Sequence, residues 1–369
     1  MGYEVLRLLA GAVGAAGLVM TWTSVVSTLL IPRGRVGPLM RAVDTAVAAV
    51  FRALTKSVRD YERRDSILAA QAPVVLLTQL AAWLVVFLAS FTALLWPDSP
   101  SLGHAAREAV SSLLTLGFAT TSGGWSTSVD AVAAATGLVV IALQIAYVPT
   151  LYAAFNRRET EVTLLRSRAG EPPWGPELLA RTHYGILGVD LATFYASWER
   201  WAADIAESHS SYPVLLRFRS PLPMSSWVVA LLAVMDAAAL QLAVAPSATP
   251  VQTRLTLRMG FLCVRQLARS SGLPVDDDPR PDGPLRLTEA DFAEAYGRLQ
   301  AVGYPVERSA AQAWPHFRGW RVNYEAAAYA LAAEVDAVPA RWSGPRRTGD
   351  APIEPLRPPN RTPQTPDPV

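Results

Sequence analysis

The chain has 369 residues, of which 51% are hydrophobic and 17% charged, with a formal net charge of +2. A mean hydropathy of +0.22 is high for a soluble enzyme and points to a membrane portion joined to a soluble one. Near-neutrality excludes a whole-chain field of the kind that draws nucleic acid, and the single Cys263 excludes an internal disulfide or a multi-cysteine zinc site.

Three stretches, 8–31, 67–96 and 131–155, carry no charged residue and reach the length of about 20 residues that a helical bilayer crossing needs. In the first, Gly11, Gly14 and Gly17 are small enough to let a neighbouring helix approach. Its apolar core is too long for a cleaved signal peptide, so it is read as a retained span. Between the first two spans lie Arg33, Arg35, Arg41, Arg52, Lys56, Arg59, Arg63 and Arg64; after the third come Arg157, Arg158, Arg166 and Arg168. The excess of positive charge belongs in the cytoplasm. It predicts a multi-pass protein of the cell membrane with its N-terminus outside and everything after Asn156 inside. Within the basic loop, apolar residues from Val36 to Tyr61 recur every three to four positions, the pattern of an amphipathic helix over 36–61 lying on anionic headgroups or on the cytosolic domain.

The outer connection between the second and third spans contains a helical stretch, roughly His104 to Leu114, followed by the hydroxyl- and glycine-bearing run Thr115, Leu116, Gly117, Phe118, Ala119, Thr120. A helix followed by irregular backbone that returns to its starting side describes a re-entrant loop over 104–122. Such backbone is tolerated at membrane depth only where it is buried in protein or lines a water-filled path. At these residues, and over roughly 67–160, the sequence resembles the potassium channel family with two spans around one pore loop, whose pattern is Thr-x-Gly-Tyr/Phe-Gly-Asp. Four positions fit; Ala119 and Thr120 depart from the family's glycine and aspartate. The resemblance implies an outer helix, a pore helix, a selectivity filter and an inner helix assembled as a homotetramer. It also implies potassium held by the carbonyls of Thr115, Leu116, Gly117 and Phe118. Alanine at 119 resists the left-handed backbone that a second glycine would allow.

In the third span Gly137 and Pro149 are gate candidates, Gly137 equally readable as a packing glycine and Pro149 as a bend near the inner end. Trp96, Trp125 and Tyr152 fall where interfacial aromatics belong. After the span, Pro172, Pro173 and Pro176 mark a boundary near residue 172. The stretch 173–342 reads as helices over about 176–182, 187–208, 226–245, 250–271, 288–302 and 315–338, an all-α cytosolic domain. The run 226–245 is long and apolar but carries Asp236 at its middle. It is read as the buried centre of that domain, with Arg217 or Arg265 as partner to the aspartate. Arg217 and Arg219 could instead receive an anionic effector. The acidic loop with Asp276, Asp277, Asp278 and Asp282 lacks the ligand spacing of a calcium site. The proline-rich stretch 343–369 is expected to be a disordered tail.

The expectation is an all-α membrane protein with three transmembrane helices, a re-entrant pore helix and filter, and an all-α cytosolic domain for assembly or gating. It is expected to be a passive cation channel rather than an enzyme, with no cofactor beyond the permeant potassium ion. Its expected partners are membrane lipids, copies of itself in a homotetramer and an unidentified cytosolic effector, not nucleic acid. The alternative is a non-conducting membrane-anchored sensor or scaffold whose helical domain binds a partner.

Overall fold

The computed structural model describes residues 2–31, 37–119, 123–183 and 190–356, which form thirteen α-helices and no strand. The chain divides into two compact units, one drawn from 1–53 and 70–153, the other from 54–69 and 154–369.

The first unit contains α1 (Gly2–Leu29), nearly all of α2 (Pro38–Thr55), α4 (Gln71–Leu95), α5 (Leu102–Leu113) and the first part of α6 (Gly124–Ala169). Gly14 and Gly17 of α1 let α4 approach closely. A Cβ at Gly14 would lie 2.6 Å from the carbonyl oxygen of Ser90 on α4, and one at Gly17 would overlap the Ser90 hydroxyl. Trp83 Nε1 donates to Ser24 Oγ at 3.1 Å across the same pair of helices, and Trp22 meets Phe87 edge to face. On α6 the buried residues Val129, Ala133, Thr136, Val140, Gln144, Tyr147 and Leu151 make one helical stripe, while Val132, Leu138, Val139 and Ile145 are exposed.

The amphipathic segment is shorter than its periodicity predicts. Helix α2 ends at Thr55, and α3 (Tyr61–Ala69) restarts at Asp60. The Asp60 carboxylate accepts the Glu62 N–H at 3.2 Å and its carbonyl accepts the Arg64 N–H. Met40, Val43, Val47 and Phe51 are buried, whereas Val50 and Leu54 are exposed, so the buried face is also narrower than the pattern implies.

The second unit is built around α9 (Trp227–Val244), which packs against α7 (Gly175–His183), α10 (Val251–Ser270), α12 (Ala310–Arg321) and α13 (Glu325–Glu334). Helix α8 (Leu191–Ser211) lies along α10, and α11 (Glu289–Ala301) along α7. Close approach again depends on small residues: a Cβ at Gly175 would come within 2.6 Å of the Ala233 carbonyl oxygen. Trp198 and Trp201 sit in the core, as does Cys263, whose thiol burial pushes upward.

Four helical stretches are long and apolar enough to cross a membrane: α1, α3 with α4, α6 and α9. They differ in what their own chain covers. The most apolar windows of the first three are 11%, 39% and 33% buried, against 100% for α9, which has no side chain left to offer to lipid.

Asp236 on α9 meets neither Arg217 nor Arg265. Its carboxylate receives Arg321 and, at 2.8 Å, the hydroxyl of Tyr324. Arg321 also donates to Glu325 at 2.7 Å, to the Tyr329 hydroxyl at 2.8 Å and to the Trp342 carbonyl at 2.9 Å. Burial alone would pull the Arg321 guanidinium down; Asp236, with the tyrosines and Glu325, outweighs it and holds it well above its ordinary range. Arg217 lies 3.9 Å from Glu334, and Arg265 donates to the Asn323 carbonyl.

Two further expectations differ from the structure. The helix expected over 315–338 is two helices, because a capping box at Ser309 and Gln312 starts α12 earlier and the Asn323 side chain donates back to the Gly319 and Trp320 carbonyls at the break. The stretch 343–356, expected to be disordered, is held in place: Arg346 donates to the carbonyls of Ala337, Val338 and Ser343, and Leu356 pairs with Glu171. The remainder of that tail, 357–369, lies outside the described residues.

Removing one member of the buried Asp236–Arg321 pair leaves an uncompensated charge. Arg321→Met is expected to lower unfolding free energy by about 3–5 kcal/mol, and adding Asp236→Leu to restore much of it. Denaturant titration of the purified chain, followed by tryptophan fluorescence, measures both.

Candidate functional site

Helix α5 begins at Ser101, whose hydroxyl accepts the His104 N–H at 3.2 Å, and it buries Ala105, Glu108, Ala109, Ser111 and Leu113. Its end is unusual. Thr115 takes φ +52°, a left-handed conformation that a β-branched residue adopts only under constraint. The Thr115 N–H donates to the Ser112 carbonyl at 3.0 Å and the Leu116 N–H to the Ser111 carbonyl at 2.7 Å, the paired bonds of a Schellman helix end with threonine where glycine is usual. Gly117 is left-handed as well, at φ +70°; its N–H points to the Ser111 carbonyl at 3.4 Å, and the Ala119 N–H donates to the Ser111 hydroxyl at 3.0 Å.

The N–H groups of Leu116, Gly117 and Ala119 therefore turn inward onto one buried serine. Among the described residues, no donor meets the carbonyl oxygens of Thr115, Leu116, Gly117 or Phe118. All four residues are exposed, and a Cβ at Gly117 would find nothing within 4 Å. A backbone carbonyl keeps two lone pairs, so the segment offers a short row of uncommitted acceptors. No three histidine, cysteine or acidic side chains gather among the described residues.

The structure brings Thr115, Leu116, Gly117, Phe118 and Ala119 together in this turn; Thr120 lies outside the described residues. Gly137 belongs to the same neighbourhood: a Cβ there would overlap the carbonyl oxygen of Leu113, the last residue of α5. Pro149 does not. It is exposed within α6, which continues through it. Three contributors have no counterpart in the sequence reading. Ser111 organises the loop, and Ser112 Oγ donates to Asp130 Oδ1 on α6 at 2.6 Å. Arg107 stands 5.5 Å from the centre of the Phe118 ring. The spacing of Ser111 from the end of the helix is a signal for a capping acceptor, but nothing in the sequence announces a left-handed threonine.

In the second unit Arg219 pairs with Asp65 and donates to the Tyr61 hydroxyl at 2.9 Å and to the carbonyls of Val335 and Asp336. Its partners are thus internal to the second unit. Arg158, fully buried, donates to Glu159 at 2.8 Å and to the carbonyls of Leu215 and Phe218, and its Nη1 lies 3.0 Å from His209 Nε2. Burial first, and then the Arg158 charge, hold the His209 imidazole well below its ordinary range.

Comparison with models of known protein families, with curated proteins and with solved structures finds no match for this chain.

Two outcomes follow from this geometry. If Gly137 serves packing, Gly137→Ala pushes α6 off α5 and lowers the melting temperature, an overpacking cost of about 1–3 kcal/mol; a hinge role would leave stability unchanged and alter only gating. For His209, the folded-state value lies below the unfolded 6.5, so below that pH the unfolded chain binds the extra proton. Stability should fall as pH drops from about 6.5 by up to about 1.4 kcal/mol per pH unit, and His209→Gln should flatten that slope in pH-dependent denaturation.

Proposed function

We propose that this chain is the subunit of a cation-conducting pore, similar to the potassium channel family, in which the loop after α5 from four copies surrounds a shared axis. The observation that carries this reading is the set of carbonyls at Thr115, Leu116, Gly117 and Phe118 that no donor meets among the described residues, in a segment where the N–H groups of Thr115, Leu116, Gly117 and Ala119 bond back to Ser111 and Ser112. One loop supplies only one side of an ion's coordination shell, and the exposure of Leu116 and Phe118, 57% and 50% in the single chain, fits a surface that other copies cover. Carbonyls arranged in a ring replace the water around a dehydrated potassium ion. The negative end of the α5 dipole adds to the attraction.

In this reading α1, α4 and α6 cross the bilayer, with the N-terminus outside and the second unit in the cytoplasm. Helix α9 is then the core of that unit rather than a fourth span, in keeping with its complete burial by its own chain. The exposed stripe of α6 faces lipid or neighbouring copies. Ions move down their gradient, so the protein performs no chemistry and needs no organic cofactor. Gly137 holds the loop-bearing helix against α6, and Pro149, which cannot donate a backbone hydrogen bond, is where the inner part of α6 bends on gating.

One observation favours the non-conducting scaffold. The Arg107 guanidinium beside Phe118 sets a positive charge next to the loop, where the family carries a carboxylate, and Thr120 supplies none. Single-channel recording of the purified protein in planar bilayers separates the two. The channel reading expects potassium current that Gly117→Asp abolishes and that Arg107→Gln increases at low salt. Silence of the wild type under every voltage, calcium and pH condition favours the scaffold, and equal sodium and potassium permeability keeps the pore but removes the selectivity.

A further inference from the structure

Helix α10 carries more apolar surface than the core of its unit takes up. Leu257, Gly260, Cys263, Val264 and Leu267 are buried, which commits one face of the helix to the bundle. On the opposite side Val251, Leu255 and Leu262 are 66%, 42% and 53% exposed. At about 3.6 residues per turn these three fall within a strip about 40° wide and about 16 Å long. Arg258 lies along the same strip and Arg254 on its flank, both exposed. A single exposed leucine is ordinary; three apolar residues in register beside two arginines make a continuous edge.

The charge on this helix has one sign. Its 20 residues include Arg254, Arg258, Arg265 and Arg269 and no aspartate or glutamate. The last two are committed: Arg265 donates to the Asn323 and Asp277 carbonyls, and Arg269 pairs with the Asp277 carboxylate. The acidic loop that follows α10 thus answers the charge of its final turn. Arg254 stands 5.9 Å from the centre of the Trp320 ring, and among the described residues no carboxylate pairs with Arg254 or Arg258. The unanswered charge and the exposed apolar strip therefore coincide, on the stretch from Val251 to Leu262.

We infer that this face of α10 docks on an anionic lipid surface, with Val251, Leu255 and Leu262 entering the headgroup boundary and Arg254 and Arg258 pairing with lipid phosphates. It has the chemistry of a basic interfacial helix: apolar side chains leave water, the arginine stems lie along them and the guanidinium heads reach the anionic groups. The bilayer is also the occupant that the chain itself keeps near. The first unit carries the apolar stretches that their own chain covers least, and the backbone passes between the units at 53–54, 69–70 and 153–154, so the second unit is tethered to whatever membrane the first one spans. A second copy laid on the same face by twofold symmetry would set Arg254 and Arg258 against their own equivalents, with no acidic residue of α10 to answer them. The inference rests on membrane attachment and makes no use of conduction, so it stands or falls apart from the pore.

The test uses full-length Leu255→Cys, labelled with an environment-sensitive fluorophore and reconstituted into nanodiscs; the native thiol of Cys263 is buried and does not compete for the label. In discs of phosphatidylcholine with phosphatidylglycerol the emission should shift to the blue and be quenched by lipids brominated along the acyl chain. In phosphatidylcholine alone it should stay at the wavelength of a label in water. Adding Arg254→Gln and Arg258→Gln should lower the docked-to-free ratio roughly 30-fold, at about fivefold for each arginine near an anionic surface. Should the double variant not fold, a salt titration of the labelled parent makes the same charge test, with the blue shift fading as ionic strength rises. Water-like emission in both lipids overturns the proposal. A blue shift equal in the two lipids does so too, as does one that brominated chains leave unquenched, which would mean that another copy of the chain covers the face.

Discussion

The carbonyl oxygen of Leu113 lies where any side chain at position 137 would have to go. That contact decides how near α6 comes to the end of α5, and the rest of the candidate site follows from it. With the helix end pinned, Ser111 is buried and its carbonyl and hydroxyl both face the following loop. The N–H groups of Leu116, Gly117 and Ala119 curl onto that serine, with Thr115 and Gly117 in left-handed backbone. The loop's carbonyls are left facing away. The uncommitted acceptors are thus a consequence of inward donor pairing, and a glycine more than twenty positions downstream is part of their cause.

Much of this was legible in the sequence, for identifiable reasons. Long uncharged runs define apolar helices whatever surrounds them, so α1, α4 and α6 fall where composition places them, and Gly117 announces a backbone that a side chain would resist. The left-handed Thr115 was not legible, because threonine ordinarily avoids that region and it is the pair of helix-end bonds to the Ser112 and Ser111 carbonyls that holds it there. Gly137 was legible as important but not as packing or hinge, since a glycine in a helix signals close approach and flexibility alike. Helix ends were misjudged wherever a side chain redirects the backbone: Asp60 restarts a helix inside the amphipathic segment, and Asn323 closes one that periodicity would carry through to Val338.

Arginine placement illustrates the same limit. The sequence implies that Asp236 needs a cation, because a carboxylate in an apolar helix cannot remain unpaired. It does not identify Arg321, which lies 85 positions away in the chain. Arg64 is similar: it reaches Asp336 and Asp350, so α3 and the segment after α13 are joined by buried ion pairs. These contacts explain why a proline-rich stretch with the composition of a disordered tail is ordered as far as Leu356. Low hydrophobicity argues for disorder only when a segment has nothing else to bind with, and Arg346, buried with four carbonyl acceptors among Ala337, Val338, Ser343 and Gly344, supplies the anchor that apolar area does not.

The two units manage buried polarity in different ways. In the second, charges are matched side chain to side chain, as at Asp236 and Arg321, or saturated by carbonyls, as at Arg158 and Arg346. Such arrangements bury charge without leaving valence over, and they resist change because each member is costly to strand. In the loop after α5 the N–H groups of Thr115, Leu116, Gly117 and Ala119 are paired, while among the described residues the carbonyls of 115–118 are left over. Uncommitted main-chain oxygens in a row are expensive in a low-dielectric setting unless something cationic or hydrated returns to them, and among the described residues no side chain donates to them. The row of acceptors that no described donor meets is the physical reason to look for function at residues 115–118.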